Sequence, residues 1–218
     1  MILENEMQSR KFVTEKHSDD YLEYLYSEPS VEGKVPLVIY IHGAGSRGGD
    51  LELLRQNGAL RILFEKTKDK AVVVAPHCHK NYWFDLFEIL SDLLDMLRNS
   101  EKVDIDRVYI SGSSMGGYTT WQMILSHTEW FAAAVPICGG GMYWAASKLK
   151  NLPIWAFHGA LDATVLPEES IHMVKAINNA GGNAKLTIFP KAAHDAWTPA
   201  LSDDATYEWL FLQKRKEE

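Results

Sequence analysis

The sequence has only two cysteines among its 218 residues, Cys78 and Cys138, and their spacing matches no metal or redox motif. We therefore expect reduced, buried thiols instead of a disulfide framework. No apolar run is long enough to span a membrane. The first residues include acidic side chains and lack the apolar stretch of a secretory signal. These absences predict a cytoplasmic protein that does not act at a membrane.

Positive charge is also scarce in this chain. The 22 Lys and Arg residues are outnumbered by 29 Asp and Glu residues, so the formal net charge is −7. This balance argues against nucleic acid or anionic membranes as the main partner. Hydrophobic residues make up 46% of the sequence and charged residues 23%, which is typical of a globular domain. Repeats, low-complexity tracts and convincing linkers are absent, so we expect residues 1–218 to form a single domain.

Apolar runs and amphipathic stretches alternate along the chain. Parallel strands separated by helices predict an α/β fold with an open, doubly wound, mostly parallel sheet flanked by helices. In such sheets the active site lies at the carboxyl ends of the strands. An antiparallel pair is expected first, at 10–14 and 21–26. The later strands are expected at 37–41, 71–75, 108–110, 132–138, 154–157 and 184–189. The helices are expected at 51–65, 84–98, 115–125, 168–180 and 203–213, and the first of them is expected to break near 57–58.

A G-x-S-x-G motif, Gly112-Ser-Ser-Met-Gly116, separates a predicted strand from a predicted helix. In this arrangement the central serine lies on a sharp turn in a strained backbone conformation, and the two glycines remove Cβ atoms that would clash there. Ser114 is then presented above the sheet as a nucleophile. Ser113 does not fit this role, because the residue two before it is Ser111 instead of glycine.

Two further strand ends carry the side chains that a serine nucleophile needs. Asp162 follows the strand at 154–157, and His194 follows the strand at 184–189. A histidine can take the serine proton, and a carboxylate can orient that histidine. The chain order Ser114, Asp162, His194 is the order expected of a hydrolase built on such a sheet. Asp195 is a poor alternative to Asp162, because it is adjacent to the histidine that it would have to orient.

A glycine-rich loop, His42-Gly-Ala-Gly45, follows the strand at 37–41. Such a loop lets backbone N–H groups approach an anion, and the amides of Ala44 and Met115 are our candidates for an oxyanion hole. A plain turn is one alternative. A phosphate loop is a poor one, because the lysine of a P-loop is absent. We expect His42 to be structural and to fix the loop through hydrogen bonds.

On these motifs the chain resembles the α/β-hydrolase superfamily. More narrowly, it resembles the phospholipase/carboxylesterase, polyhydroxyalkanoate-depolymerase-like and feruloyl-esterase-like families, with prolyl-oligopeptidase domains as more distant relatives. The resemblance implies an α/β-hydrolase fold, a Ser114–Asp162–His194 triad and an oxyanion hole at Ala44 and Met115. The sequence lacks a long insertion before Asp162, so we expect no large cap domain. The sequence departs from the dienelactone hydrolase branch, whose nucleophile is a cysteine. The matching stretches are 42–45 with 48–50, 104–117, 158–165 and 194–197.

Three tryptophans follow strand ends, Trp83, Trp144 and Trp197. They are expected to line an aromatic acyl or alcohol pocket, and packing over the loops is an equally good alternative. The His77-Cys78-His79 run has ligand-type side chains, but a second ligand cluster is missing from the sequence. We therefore expect no metal and no cofactor.

The sequence predicts a serine esterase that acts on small-molecule carboxylic esters through an acyl-enzyme. No cap insertion precedes Asp162, so little apolar surface is available for a long acyl chain, and short-chain or aromatic esters are expected. A serine peptidase of the prolyl-oligopeptidase type and a non-catalytic ligand-binding member of the fold are the alternatives. The complete triad favours an enzyme.

Overall fold

The strands of the computed structural model, which describes residues 6–215, form one sheet. They are β1 (Gln8–Phe12), β2 (Leu22–Ser27), β3 (Val35–Ile41), β4 (Val72–Pro76), β5 (Val103–Ser113), β6 (Ala133–Ile137), β7 (Trp155–Gly159) and β8 (Lys185–Phe189). Their order is β1-β2-β4-β3-β5-β6-β7-β8. β1 and β2 pair antiparallel, β2 is also antiparallel to β4, and β3 to β8 are parallel. The predicted mostly parallel, doubly wound sheet is confirmed.

Helices connect the strands as the amphipathic stretches predict. They are α1 (Glu52–Arg55), α2 (Gly58–Thr67), α3 (Phe87–Arg98), α4 (Met115–Ser126), α5 (Glu168–Asn179), α6 (Trp197–Ser202) and α7 (Asp204–Leu212). Short 3₁₀ turns lie at Glu15–His17, Ala44–Ser46, Trp83–Leu86, Thr128–Trp130 and Tyr143–Leu149. The break near 57–58 has a local cause, since the Asn57 side chain accepts a hydrogen bond from the N–H of Leu60 and caps α2. The prediction missed α6, which precedes the expected last helix.

The core consists of two apolar layers, one on each face of the sheet. β3 shows how the sequence builds both, because its residues alternate between the faces and all of them are buried. Leu37, Ile39 and Ile41 pack in the layer that contains residues of α3, α4 and α5. Val38 and Tyr40 pack in the layer that contains residues of α1, α2, α6 and α7. The parallel strands lie between these two layers, and their carboxyl ends share one edge of the sheet.

The connection from β6 to β7 contains only the 3₁₀ turn Tyr143–Leu149, so no cap domain precedes the acid loop. None of the helices in the described part of the chain has the length and apolar character needed to cross a bilayer. The expectation that the first residues are not a secretory signal falls partly on residues 1–5, which lie outside the described residues.

Candidate active site

The turn between β5 and α4 holds Ser114 at φ 56° and ψ −120°. A positive φ is unusual for a residue with a side chain, so this conformation is strained and needs support. The Ser114 N–H donates to the carbonyl of Ile137 at 3.0 Å. A Cβ atom on Gly116 would lie 1.9 Å from the carbonyl oxygen of Ile41. The predicted strained turn, and its need for glycine at Gly116, are thus confirmed.

His194 joins Ser114 to Asp162 in a continuous chain of hydrogen bonds. Its Nε2 lies 2.9 Å from the Ser114 hydroxyl oxygen, and its Nδ1 lies 2.7 Å from Oδ2 of Asp162. A carboxylate only accepts, so Nδ1 donates and Nε2 is left free to accept the hydroxyl proton. The Asp162 side chain is fully buried, whereas the His194 side chain is a quarter exposed at 25%. The three side chains proposed from the sequence therefore meet at one edge of the sheet.

Asp162 is held in its charged form despite its burial. Burial by itself raises the pKa of the carboxyl, but the hydrogen bond from His194 and the backbone N–H groups of Val165 and Thr164 lower the pKa below its usual value. Those N–H groups lie 3.0 and 2.9 Å from Oδ1. Asp195 takes a different role, because its carboxylate bonds the N–H and hydroxyl of Thr198 at the start of α6.

Two backbone N–H groups are available beside Ser114. Ala44 is the first residue of a 3₁₀ turn and Met115 is the first residue of α4, and such residues have no acceptor for their N–H within their own helix. The loop that carries Ala44 lies against the turn, since a Cβ on Gly43 would be 3.1 Å from the carbonyl oxygen of Ser113 and 3.3 Å from Cβ of Ser114. The N-terminus of α4 adds positive potential there.

His42 holds the loop that carries Ala44 through two hydrogen bonds of its ring. Its Nε2 accepts the N–H of Cys78 at 2.9 Å, so its Nδ1 donates to the carbonyl of Gly43 at 2.7 Å. Burial lowers the pKa of His42 to about 4, which leaves the ring neutral at neutral pH. The indole N–H of Trp83 donates to the His42 carbonyl at 3.0 Å. The expected structural role of His42 is confirmed.

The three tryptophans do not form one pocket. Trp83 is fully buried at 0% exposure and supports the His42 loop, so the expectation that it lines a substrate pocket is wrong. Trp144 is 72% exposed and packs edge-on against Tyr143. Trp197 is half-buried and its ring meets the His194 ring edge-on at 5.4 Å between centroids. Trp197 alone among the three is in ring contact with a triad residue.

The His77-Cys78-His79 run does not converge on one point. His77 bonds the carbonyl of Ser46, the Cys78 thiol bonds the carbonyl of Lys80, and His79 pairs with the carboxylate of Asp20.

Cys138 is the site residue that sequence reasoning missed. Its thiol has a possible ligand atom of Asp162 and one of His194 within 4.8 Å, and its backbone has φ 39°. Its position directly after a strand that neighbours the serine strand could have indicated this. Burial raises the pKa of the thiol to about 12, so the thiol is protonated at neutral pH.

Comparisons with known proteins identify the family and the fold. A family model described as the dienelactone hydrolase family matches residues 56–205. A crystal structure described as a thermostable esterase has a TM-score of 0.86 at 30% identity, over 98% of this chain and 64% of that chain. Est1E from Butyrivibrio proteoclasticus has a TM-score of 0.74 at 15% identity, over 94% and 98% of the two chains. The Pyrococcus horikoshii acylaminoacyl peptidase has a TM-score of 0.71 at 16% identity, over 98% and 42%.

A sequence relative adds a shorter match. A bifunctional acetylxylan esterase/xylanase from Neocallimastix patriciarum is 32% identical over 73 residues, which are 34% of this chain and 11% of that protein. The chain therefore spans only part of the thermostable esterase and of this relative. The likenesses at 15% and 16% identity show the fold alone. The family match also corrects the sequence analysis, which set the chain apart from the dienelactone hydrolase branch because of Ser114.

Proposed function

We propose that this chain, which belongs to the dienelactone hydrolase family, is a serine hydrolase that cleaves short-chain or aromatic carboxylic esters of small molecules. The observation that carries the proposal is the unbroken hydrogen-bond chain from Asp162 through His194 to Ser114, at 2.7 and 2.9 Å. The likeness to a thermostable esterase at 30% identity supports ester hydrolysis as the reaction.

The reaction proceeds through an acyl-enzyme. The Ser114 hydroxyl attacks the ester carbonyl while His194 Nε2 takes its proton, and Asp162 stabilises the imidazolium that forms. The N–H groups of Ala44 and Met115 bind the oxyanion of the tetrahedral intermediate. His194 returns the proton to the alcohol as it leaves. Water, activated by the same ring, then attacks the acyl-enzyme, and the acid product and free Ser114 are regenerated.

The absence of a cap over the edge of the sheet favours substrates with small acyl groups. The β6–β7 connection supplies no cap domain that could enclose a long acyl chain. Each CH₂ adds about 0.8 kcal/mol only where it is buried. Trp197 beside His194 and the exposed Trp144 offer flat rings against which an aromatic group can pack.

The proposal is tested with Ser114→Ala and a panel of p-nitrophenyl esters of increasing acyl length, with aminoacyl anilides alongside. We expect kcat to fall by about three orders of magnitude or more in the variant, because the nucleophile acts with its base as a unit. In the wild type, kcat/KM should level off or fall beyond about four to six acyl carbons. Near-wild-type turnover in folded Ser114→Ala contradicts the mechanism. Faster cleavage of an anilide than of any ester favours a peptidase.

The same proposal includes a cytoplasmic location and one domain over residues 1–218. Both cysteines, Cys78 and Cys138, are free and buried, which suits a reducing compartment. The small-molecule ester is the proposed partner, and nucleic acid is not, in keeping with the net charge of −7.

A further inference from the structure

His158 is a buried histidine that the proposed mechanism leaves without a role. It lies in β7, four residues before Asp162, and neither side chain is exposed. Its Nε2 lies 2.9 Å from the carbonyl oxygen of Val165 and 3.4 Å from Oδ2 of Asp162. Its Nδ1 lies 2.8 Å from the hydroxyl oxygen of Ser170 on α5. Both ring nitrogens therefore have close polar partners.

These partners favour a proton on each ring nitrogen. A carbonyl oxygen only accepts, so Nε2 must donate to Val165. The Ser170 hydroxyl also lies 3.0 Å from the carbonyl oxygen of Gly139, which takes its single hydrogen. Nδ1 must then donate to Ser170 as well. A histidine that donates from both nitrogens is an imidazolium ion.

A neutral ring leaves an unsatisfied contact in either tautomer. With the proton on Nδ1, the lone pair of Nε2 faces the Val165 carbonyl. With the proton on Nε2, Nδ1 takes the Ser170 hydrogen, and the Gly139 carbonyl faces the oxygen lone pairs of Ser170 at 3.0 Å. Buried polar groups are rarely left without a partner, and the doubly protonated ring is the arrangement in which every one of these groups has one.

A buried imidazolium needs a compensating charge, and Asp162 supplies it at 3.4 Å. Of the other titratable groups around this pair, the His194 ring shares Oδ2 of Asp162. The Cys138 thiol is neutral, since burial raises its pKa to about 12. Glu169 is the carboxylate next to Ser170 on α5, and β8 contributes an apolar residue at the paired position, Ile188. Tyr118 on α4 is neutral, since burial and the nearby carboxylates of Glu169 and Asp162 raise the pKa of its hydroxyl.

We propose that His158 is a positioning residue, which as an imidazolium ion holds the Asp162 carboxylate and its turn in place for His194. The proposal rests on the proposed function, in which Asp162 orients the base. Val165 connects the two contacts, because its N–H donates to Oδ1 of Asp162 and its carbonyl accepts from His158. Ser170 extends the same network to Gly139, in the loop after β6.

The charge of His158 has a consequence for catalysis. A cation beside Asp162 offsets part of the attraction between that carboxylate and the proton on His194. Asp162 therefore attracts a protonated His194 ring less strongly than an uncompensated carboxylate would. Removal of the cation should make His194 hold its proton to higher pH.

The first test reads the protonation of His158 directly and requires no substrate. Full-length protein with isotope-labelled histidine is measured at neutral pH by proton–nitrogen correlation NMR, and the His158 signals are identified by their loss in His158→Gln. We expect protons on both ring nitrogens. A spectrum with one bare nitrogen overturns the proposal. If His158→Gln does not fold, Ser170→Ala identifies the signals through the shift of Nδ1. This result stands even if the protein hydrolyses no ester.

The second test separates a charged positioning residue from a merely structural one. In His158→Gln, kcat for p-nitrophenyl acetate should fall by roughly tenfold with KM little changed, because the base is less well oriented. The acidic limb of the pH profile of kcat/KM should move up by roughly half to one pH unit. His172→Gln, an exposed histidine on α5, is the matched control. A limb that stays in place or moves to lower pH overturns the imidazolium assignment.

Discussion

The tripeptide His-Gly-Ala occurs at two strand ends, at residues 42–44 after β3 and at residues 158–160 near the end of β7. Both histidines are fully buried, yet their surroundings are opposite. His42 has one acceptor and one donor, the Gly43 carbonyl and the Cys78 N–H, and is neutral. His158 has two acceptors and a carboxylate. The same tripeptide therefore places its histidine among different partners, and this difference is the basis of the charge that we propose for His158.

The glycines of the two loops have matching roles. A Cβ on Gly43 would press against Ser113 and Ser114, and a Cβ on Gly159 would lie 2.0 Å from the carbonyl oxygen of Ala193. One loop is thereby brought against the nucleophile and the other against the base. The neutral His42 loop offers backbone N–H groups to a developing negative charge. The His158 loop supplies the permanent negative charge of Asp162.

The largest effect is expected from removing the charge of Asp162 in the His158 loop. Asp162→Asn should lower kcat by about three to four orders of magnitude, because an amide neither stabilises the His194 imidazolium nor fixes its tautomer. The matched control is Asp195→Asn, whose carboxylate bonds Thr198 and not His194. Kinetics on p-nitrophenyl acetate compare the two variants. An equal loss in both would show that Asp162 has been wrongly assigned as the acid.

The second prediction concerns the neutral His42 and the pH dependence of the free energy of unfolding. The pKa of His42 is about 4 in the folded protein against an ordinary 6.5, so the unfolded chain takes up a proton before the native protein does. Stability should therefore fall as the pH is lowered from about 6.5 to about 4, by on the order of 3 kcal/mol from this group. Below about pH 4 this group causes no further loss. Urea unfolding at several pH values measures the slope.

His42→Gln tests the origin of that slope. The variant should be less stable at neutral pH, because it alters two buried hydrogen bonds, and its stability should depend less on pH between about 6.5 and 4. His172→Gln should retain the wild-type slope, since that side chain is exposed. An unchanged slope in His42→Gln would mean that other groups, such as His77 or His127, account for the acid sensitivity.

The sequence predicted the fold because the relevant signals are local and strong. The continuous apolar runs predicted the central parallel strands, and the Gly112–Gly116 motif predicted the strained turn that the structure shows at Ser114. The order of Ser114, Asp162 and His194 along the chain predicted that they would meet, because strand ends share one edge of the sheet.

The features that the sequence missed depend on contacts between distant residues. Trp83 follows a strand end as Trp197 does, but its partner is the His42 carbonyl, 41 residues away, and it is buried. The charge proposed for His158 rests on its contact with Ser170 and on the contact of Ser170 with Gly139, and these contacts form only when α5 and the loop after β6 pack together. Local periodicity contains no information about such pairings.

A third effect concerns the neutral loop. Ala44→Pro removes one proposed oxyanion donor and should lower kcat by about a hundredfold. The fold should tolerate it, because proline suits the first position of a helical turn and Gly43 before it is extended, at φ −79° and ψ 177°. Ala44→Ser retains the N–H and should keep kcat near that of the wild type. Full kcat in folded Ala44→Pro would remove Ala44 from the oxyanion hole.

The smallest effect tests whether a tryptophan supports the neutral loop or contacts the substrate. Trp83→Phe keeps a buried ring but removes the donor to the His42 carbonyl. The free energy of unfolding should therefore fall by about 1 to 2 kcal/mol. The ratio of kcat/KM for a benzoyl ester to that for an acetyl ester should not change, because the indole has no exposed surface. Trp144→Ala, at an exposed position, should leave stability nearly unchanged and lower that ratio. If Trp83→Phe changes this ratio and leaves the stability unchanged, Trp83 contacts the substrate and does not support the loop.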